Sequence, residues 1–79
     1  MEKLLIVDDD KGIQKQLKWS LSDYNTVLAG DRESAVAAVR RYEPKVVTLD
    51  LGLPPDEANA SEGLAALQEI LTIAPHTKV

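Results

Sequence analysis

Apolar runs and helix-period stretches alternate three times along the chain. Leu4-Leu5-Ile6-Val7 is apolar at every position, the pattern of a strand covered on both faces. Residues 11–22 then carry Ile13, Leu17 and Leu21 at helical spacing, with Lys and Gln between them, and Asp10 stands where an N-cap belongs. Asn25 to Ala29, centred on Thr26-Val27-Leu28, predicts a second strand, and Gly30 a turn. Asp31 is placed to cap a second helix over 32–42, whose inner face is read as Ala35, Val36, Val39 and Tyr42. Pro44 closes that segment, because the residue before a proline disfavours helix. Residues 45–49 predict a third strand, and Leu51 to Ala60 a loop containing Pro54, Pro55 and Asn59. Ser61 is expected to cap a third helix over 62–73, with Leu64, Leu67, Ile70 and Leu71 facing inward and Pro75 just beyond its end. Lys78-Val79 reads as the first step of a fourth strand. Strand–helix alternation of this kind predicts an α/β fold, a parallel sheet with crossover helices.

Composition narrows the class. The chain has 79 residues, one domain at most, and 44% hydrophobic residues, a globular value. One Trp, two Tyr and no Phe leave Val, Leu, Ile and Ala to build the core. The net charge of −4 argues against a nucleic-acid surface. There is no cysteine, hence no disulfide framework and no thiolate metal site. No apolar run is long enough to span a membrane, and Met1-Glu2-Lys3 does not open a signal peptide, so a soluble cytoplasmic protein is the default expectation.

The chemistry lies at two strand ends. Asp8-Asp9-Asp10 follows the first apolar strand directly, and Asp50 follows the third, Lys45-Val46-Val47-Thr48-Leu49. Open α/β sheets place their ligand sites at the carboxyl ends of strands. If the two strands are neighbours, Asp8, Asp9 and Asp50 meet. Three carboxylates in one place need a cation or a shared proton to coexist, which points to a small acidic metal pocket.

These segments, Leu4 to Asp10 and then Val46-Val47-Thr48-Leu49-Asp50-Leu51-Gly52-Leu53-Pro54, resemble the response-regulator receiver domain of two-component signalling. The resemblance rests on an apolar strand ending in paired Asp, a later strand ending in Asp, and a Pro four residues on. The first block also resembles the receivers of nitrogen-regulation-type transcriptional activators. The resemblance implies a flavodoxin-like parallel sheet, here with three strands in the order 2-1-3 and three helices. It implies that Asp50 is the phosphoacceptor. It further implies Mg²⁺ held directly by Asp9, mainly through water by Asp8, and also by Asp50 and the backbone carbonyl of Gly52. Its partners would be a histidine kinase or phosphotransfer protein, and its role signalling rather than enzymatic, controlling an attached transcriptional output domain.

The chain departs from the family pattern in two places. Between Pro54 and Gly63, which matches the family glycine, lies an acidic insertion at 55–62 carrying Asp56, Glu57 and Glu62. A solvated surface loop and a lid or partner contact are both open readings of it. Receiver domains also have five strands and five helices in roughly 120 residues, so residues 1–79 are expected to be the N-terminal part, from the first strand to the start of the fourth. The family's strand-four hydroxyl and strand-five lysine have no counterparts by motif: Lys11, Lys45 and Lys78 fall on other elements. The expectation is a fragment that keeps the metal pocket, loses most phosphorylation competence and switching, and self-associates through the apolar edge of 45–49.

Trp19 lies off the Ile13/Leu17/Leu21 stripe and is expected to be partly exposed; packing at the helix flank and a kinase contact are both open. His76 has no ligand partner by spacing, and Arg32, Arg40 and Arg41 read as a solvated helix face. The alternative function is a haloacid-dehalogenase-type phosphatase with Asp8 as nucleophile, which leaves Asp50 and Pro54 without a role. A calcium loop is excluded by spacing, since Asp8, Asp10 and Gly12 do not fit the EF-hand.

Overall fold

Three parallel strands form the centre of the computed structural model, which describes residues 2–50, 52–53 and 60–79. Strand β1 (Lys3–Val7) lies between β2 (Asn25–Ala29) and β3 (Val46–Leu49), giving the order β2-β1-β3. Leu5 stands opposite Val27 on one side and Val47 on the other. The run Leu4 to Val7 is buried throughout, as a strand covered on both faces must be.

The strand order dictates where the helices go. The connection from β1 to β2 runs one way across the sheet and the connection from β2 to β3 runs back. Right-handed crossovers in opposite directions place their helices on opposite faces. Helix α1 (Lys11–Ser20) therefore covers one face, while α2 (Arg32–Tyr42) and α3 (Ser61–Ile73) pack together on the other. The main core lies on that second face, where Leu5, Val7, Ala29 and Val47 of the sheet meet Ala35 and Val39 of α2, Ala66 and Ile70 of α3, and Leu53. Leu4 and Ile6 alternate to the α1 face and are also buried.

Helix ends follow the expected chemistry at two of three places. The Asp10 carboxylate accepts from the amides of Gly12 (2.8 Å) and Ile13 (3.3 Å). Asp31 accepts from the Ser34 amide at 2.8 Å, and the Ser34 hydroxyl oxygen accepts in return from the Asp31 amide at 3.3 Å, closing a capping box. At the third helix the expected cap is displaced by one residue. Ala60 occupies the N-cap position and Ser61 is already the first helical residue.

Two apolar faces also differ from the periodicity reading. The buried side of α3 is Gly63, Ala66 and Ile70, while Leu64 and Leu71, expected inside, are 53% and 41% exposed. Small residues on the buried side let α3 lie close to α2, so the larger leucines are turned outward. Helix α1 buries none of its residues fully: Leu17 and Leu21 are half-buried and Ile13 is exposed. It rests on β1, and among the described residues no second helix lies beside it. Trp19 projects into solvent, as its place off the stripe predicts.

The edge of β3 is not fully open. Lys78 pairs with Val46 in parallel, its amide donating to Lys45 O (3.0 Å) and its carbonyl accepting from Val47 N (2.7 Å). The Thr77 hydroxyl donates to Pro44 O at 3.0 Å and steadies this return. The expected bare edge over 45–49 is thus corrected: its first half is covered within the chain by this single bridge, at the place where the sequence predicts a fourth strand to start. Among the described residues no helix is long and apolar enough to cross a membrane.

Candidate metal and phosphoryl site

The site is built by the sheet ladder. Asp50 N donates to Val7 O at 2.9 Å, which carries the β1–β3 pairing one step past the strand ends. Asp8 N donates to Ala29 O at 3.0 Å and does the same toward β2. The acids after β1 and the acid after β3 are thereby side by side. Asp8, Asp9 and Asp50 each offer a carboxylate oxygen, and these lie within 4.8 Å of one another. This is the topological switch point, where the chain leaves β1 for one neighbour and later returns to the other side.

Each acid has a different setting. Asp8 is buried, and its Oδ1 accepts from Asp10 N at 2.9 Å. Burial pushes its carboxyl above the usual range; the Asp10 amide opposes this, and repulsion from Asp50, Asp9 and Asp10 adds to it. Asp9 is exposed and turned to solvent. Asp50 holds the amide of Gly52 on its Oδ1 at 3.1 Å, a turn that fixes the carboxylate's plane. Asp10, third in the acidic run, is committed to the helix cap and lies outside the cluster, as expected.

An all-oxygen donor set suits a hard divalent cation such as Mg²⁺. The residues present fit one: three carboxylates converge, and one is held above its ordinary pKa partly by its neighbours' charges, a repulsion that a bound cation relieves. Leu51, Pro54 and 55–59, most of the acidic insertion, lie outside the described residues.

Beside the acids, a cavity of about 320 Å³ opens between α1 and β3, lined by Asp8, Ile13, Leu17, Thr48 and Asp50 among others. The Thr48 hydroxyl is buried without a hydrogen-bond partner. A larger cavity of about 770 Å³ lies at the opposite end of the sheet, bordered by Pro44, Lys45, His76 and Lys78. The acids decide the chemistry, and they line the smaller one. Lys45 sits at the amino end of β3, where it pairs with Glu2 at 3.6 Å, and Lys78 lies beside it, so neither is near the acids. Arg32, read from sequence as part of a solvated face, instead bridges α2 to α3 through Glu62 (3.4 Å) and Glu69 (3.7 Å).

One residue of the site went unnoticed in the sequence. Gln14 projects from the first turn of α1 and donates its side-chain amide to the carbonyls of Asp8 and Ala29. Only its place one turn after the acids could have signalled this.

Comparison with known proteins agrees with the geometry. The chain is 33% identical over 82 residues to Protein CcdB of Bacillus subtilis, covering all of this chain and 64% of that protein. It is 42% identical over 53 residues to the probable transcriptional regulatory protein TcrX of Mycobacterium tuberculosis, covering 65% of this chain and 23% of that one. In three dimensions it matches NtrX from Brucella abortus with a TM-score of 0.83 and 35% identity, over 96% of this chain and 17% of that one. The NtrX likeness bears out the resemblance to nitrogen-regulation-type regulators. The chain thus spans less than two thirds of each of these relatives. Residues 4–79 match the response regulator receiver domain, and the chain belongs to that family.

Proposed function

We propose that this chain is the phosphoacceptor module of a cytoplasmic two-component response regulator, with Asp50 as the residue phosphorylated. The observation that carries the reading is the convergence of Asp8, Asp9 and Asp50 within 4.8 Å at neighbouring strand ends. Mg²⁺ would be held by Asp8, Asp9, Asp50 and the carbonyl of Gly52. When bound, it offsets the charge on the phosphoryl oxygens and the mutual repulsion of the acids.

The chain's own residues do the rest. An oxygen of the Asp50 carboxylate attacks phosphorus, and the bond from phosphorus to the donor's imidazole nitrogen breaks. The leaving nitrogen takes a proton from water as its bond to phosphorus breaks, so the products are an aspartyl phosphate and a neutral histidine. The Gly52 amide holds the Asp50 carboxylate in one orientation, and the Val7 carbonyl holds its backbone. Asp8 is a poor alternative nucleophile, since it is buried and one of its oxygens is taken by the Asp10 amide. This disfavours the phosphatase reading.

The donor is a histidine kinase or phosphotransfer protein, and the module controls a transcriptional output domain in its parent protein. The part of the β3 edge at Thr48 and Leu49, which is unpaired among the described residues, supports self-association together with the exposed flank of α1. Sedimentation showing a monomer at high concentration would remove that last element.

Incubation with acetyl phosphate and Mg²⁺, followed by mass spectrometry of peptides, tests the central proposal. Incorporation is expected on Asp50, dependent on Mg²⁺ and abolished by Asp50→Asn. Label on Asp8, or unchanged incorporation in Asp50→Asn, would overturn it.

A further inference from the structure

We infer that Gln14 is a positioning residue for the acidic pocket: it clasps the carboxyl ends of β1 and β2 and sets the backbone from which Asp8 and Asp9 project. The importance of that backbone for Mg²⁺ rests on the reading under Proposed function. The clasp itself rests on the hydrogen bonds.

Helical side chains lean toward the amino end of their helix. Gln14, in the first turn of α1, therefore reaches back over the strand ends rather than out to solvent, and is half-buried there. Its Nε2 has two N–H groups and uses both, one on Asp8 O and one on Ala29 O at 3.2 Å. These carbonyls lie where the parallel ladder runs out: Asp8 N to Ala29 O is its last rung. A Cβ on Gly30 would stand 3.9 Å from both Gln14 Nε2 and Asp8 O, so the turn after β2 packs against the same clasp.

The consequence for the acids is geometric. The carbonyl of Asp8 and the amide of Asp9 share one rigid peptide plane. Holding that carbonyl fixes the plane and limits where the Asp9 side chain can point. The remaining groups of the run are tied separately, Asp8 Oδ1 by the Asp10 amide and Asp10 Oδ1 by the helix start. Gln14 thus supplies the restraint that reaches Asp9, the exposed carboxylate of the cluster. Groups that orient metal ligands in this way commonly change affinity about 10–100-fold when removed.

The test uses the 79-residue chain. Gln14→Met keeps length and loses both donors, Gln14→Arg keeps donors, and Ala37→Gly on the exposed side of α2 is a stability control. Mg²⁺ affinity is read by titration of backbone amide shifts, and hydrogen exchange at the Asp8 and Asp10 amides is read without metal. Gln14→Met is expected to bind Mg²⁺ about tenfold more weakly and to exchange those amides faster than its loss of global stability explains. Gln14→Arg, whose added charge itself opposes a nearby cation, should restore the exchange protection, and Ala37→Gly should change neither readout. Should Gln14→Met not fold, Gln14→Asn, one methylene too short, is expected to show the same losses. Parent-like affinity and exchange in the Met or Asn variant, or equal losses in Ala37→Gly, would overturn the inference. If the parent chain binds no Mg²⁺, the metal reading fails, and the exchange data alone decide the clasp.

Discussion

The amide of Asp50 donates to the carbonyl of Val7 at 2.9 Å. This bond joins the end of β3 to the end of β1 and makes one site of acids separated by some forty positions of sequence. Without the β1–β3 pairing that it extends, Asp50 would be a turn residue and Asp8-Asp9 a solvated strand end. The pocket is therefore a property of strand pairing, and its parts can be perturbed separately.

Neutralising Asp8 should stabilise the metal-free protein and abolish its response to metal. Its carboxyl is raised first by burial, so at neutral pH the folded state bears the cost of a buried charge. Asp8→Asn keeps an oxygen for the Asp10 amide and removes the charge. Thermal melts at neutral pH should show a higher midpoint for Asp8→Asn without Mg²⁺, and a loss of the further rise that Mg²⁺ gives the parent. A lower midpoint in the variant would contradict the electrostatics described for Asp8.

Two acids should respond to pH with opposite sign. The Asp8 carboxyl is raised in the fold, so its relative contribution is fully present below its unfolded pKa and lost as pH rises through its folded one. Asp31 is lowered, first by the Ser34 hydroxyl and then by the Ser34 amide. Its contribution is present above its unfolded pKa and is lost as pH falls through the folded one. Asp31→Ala is expected to cost about 1 kcal/mol at neutral pH and less in acid. Urea midpoints across the acid range, for parent and variant, read this directly.

Replacing Thr48 by Val should raise stability by about 1 kcal/mol or more, because a buried hydroxyl without a partner costs on that order. Chemical denaturation checks it. A destabilised Thr48→Val would mean that the hydroxyl is satisfied in solution.

The phase of α3 can be tested by truncation. Ile70 is fully buried, so Ile70→Ala should cost about 2–5 kcal/mol, enough to threaten folding of so small a domain. Leu64→Ala and Leu71→Ala, at exposed sites, should each cost roughly 1 kcal/mol or less. Equal costs at Leu64 and Ile70 would reinstate the inward position of Leu64 expected from periodicity.

Local patterns carried much of the fold. The strand at Leu4–Val7 is apolar at every position, and Asp10 and Asp31 cap their helices because short polar side chains bond the orphan amides there. The acids at both strand ends were legible too, since carboxylates directly after a buried parallel strand fall at the sheet edge where ligands bind. The face of α3 was legible only in part: Ile70 is buried as expected. Leu, Ala and Gly are all apolar, and periodicity cannot tell whether Leu64 and Leu71 or Gly63 and Ala66 accompany it on the buried side. Ser61 misled for a similar reason, because a good capping residue one position late is helical.

What sequence alone determined was the order of elements and the chemical character of their ends, because both depend on neighbours a few residues apart. What tertiary structure decided was adjacency. The order β2-β1-β3 brings Asp50 to Asp8 and Asp9, Lys78 returns along β3, and Gln14 reaches across to Ala29. Those relations follow from crossover handedness and from backbone carbonyls that need donors where a ladder ends, and a backbone carbonyl looks the same at every position of a sequence.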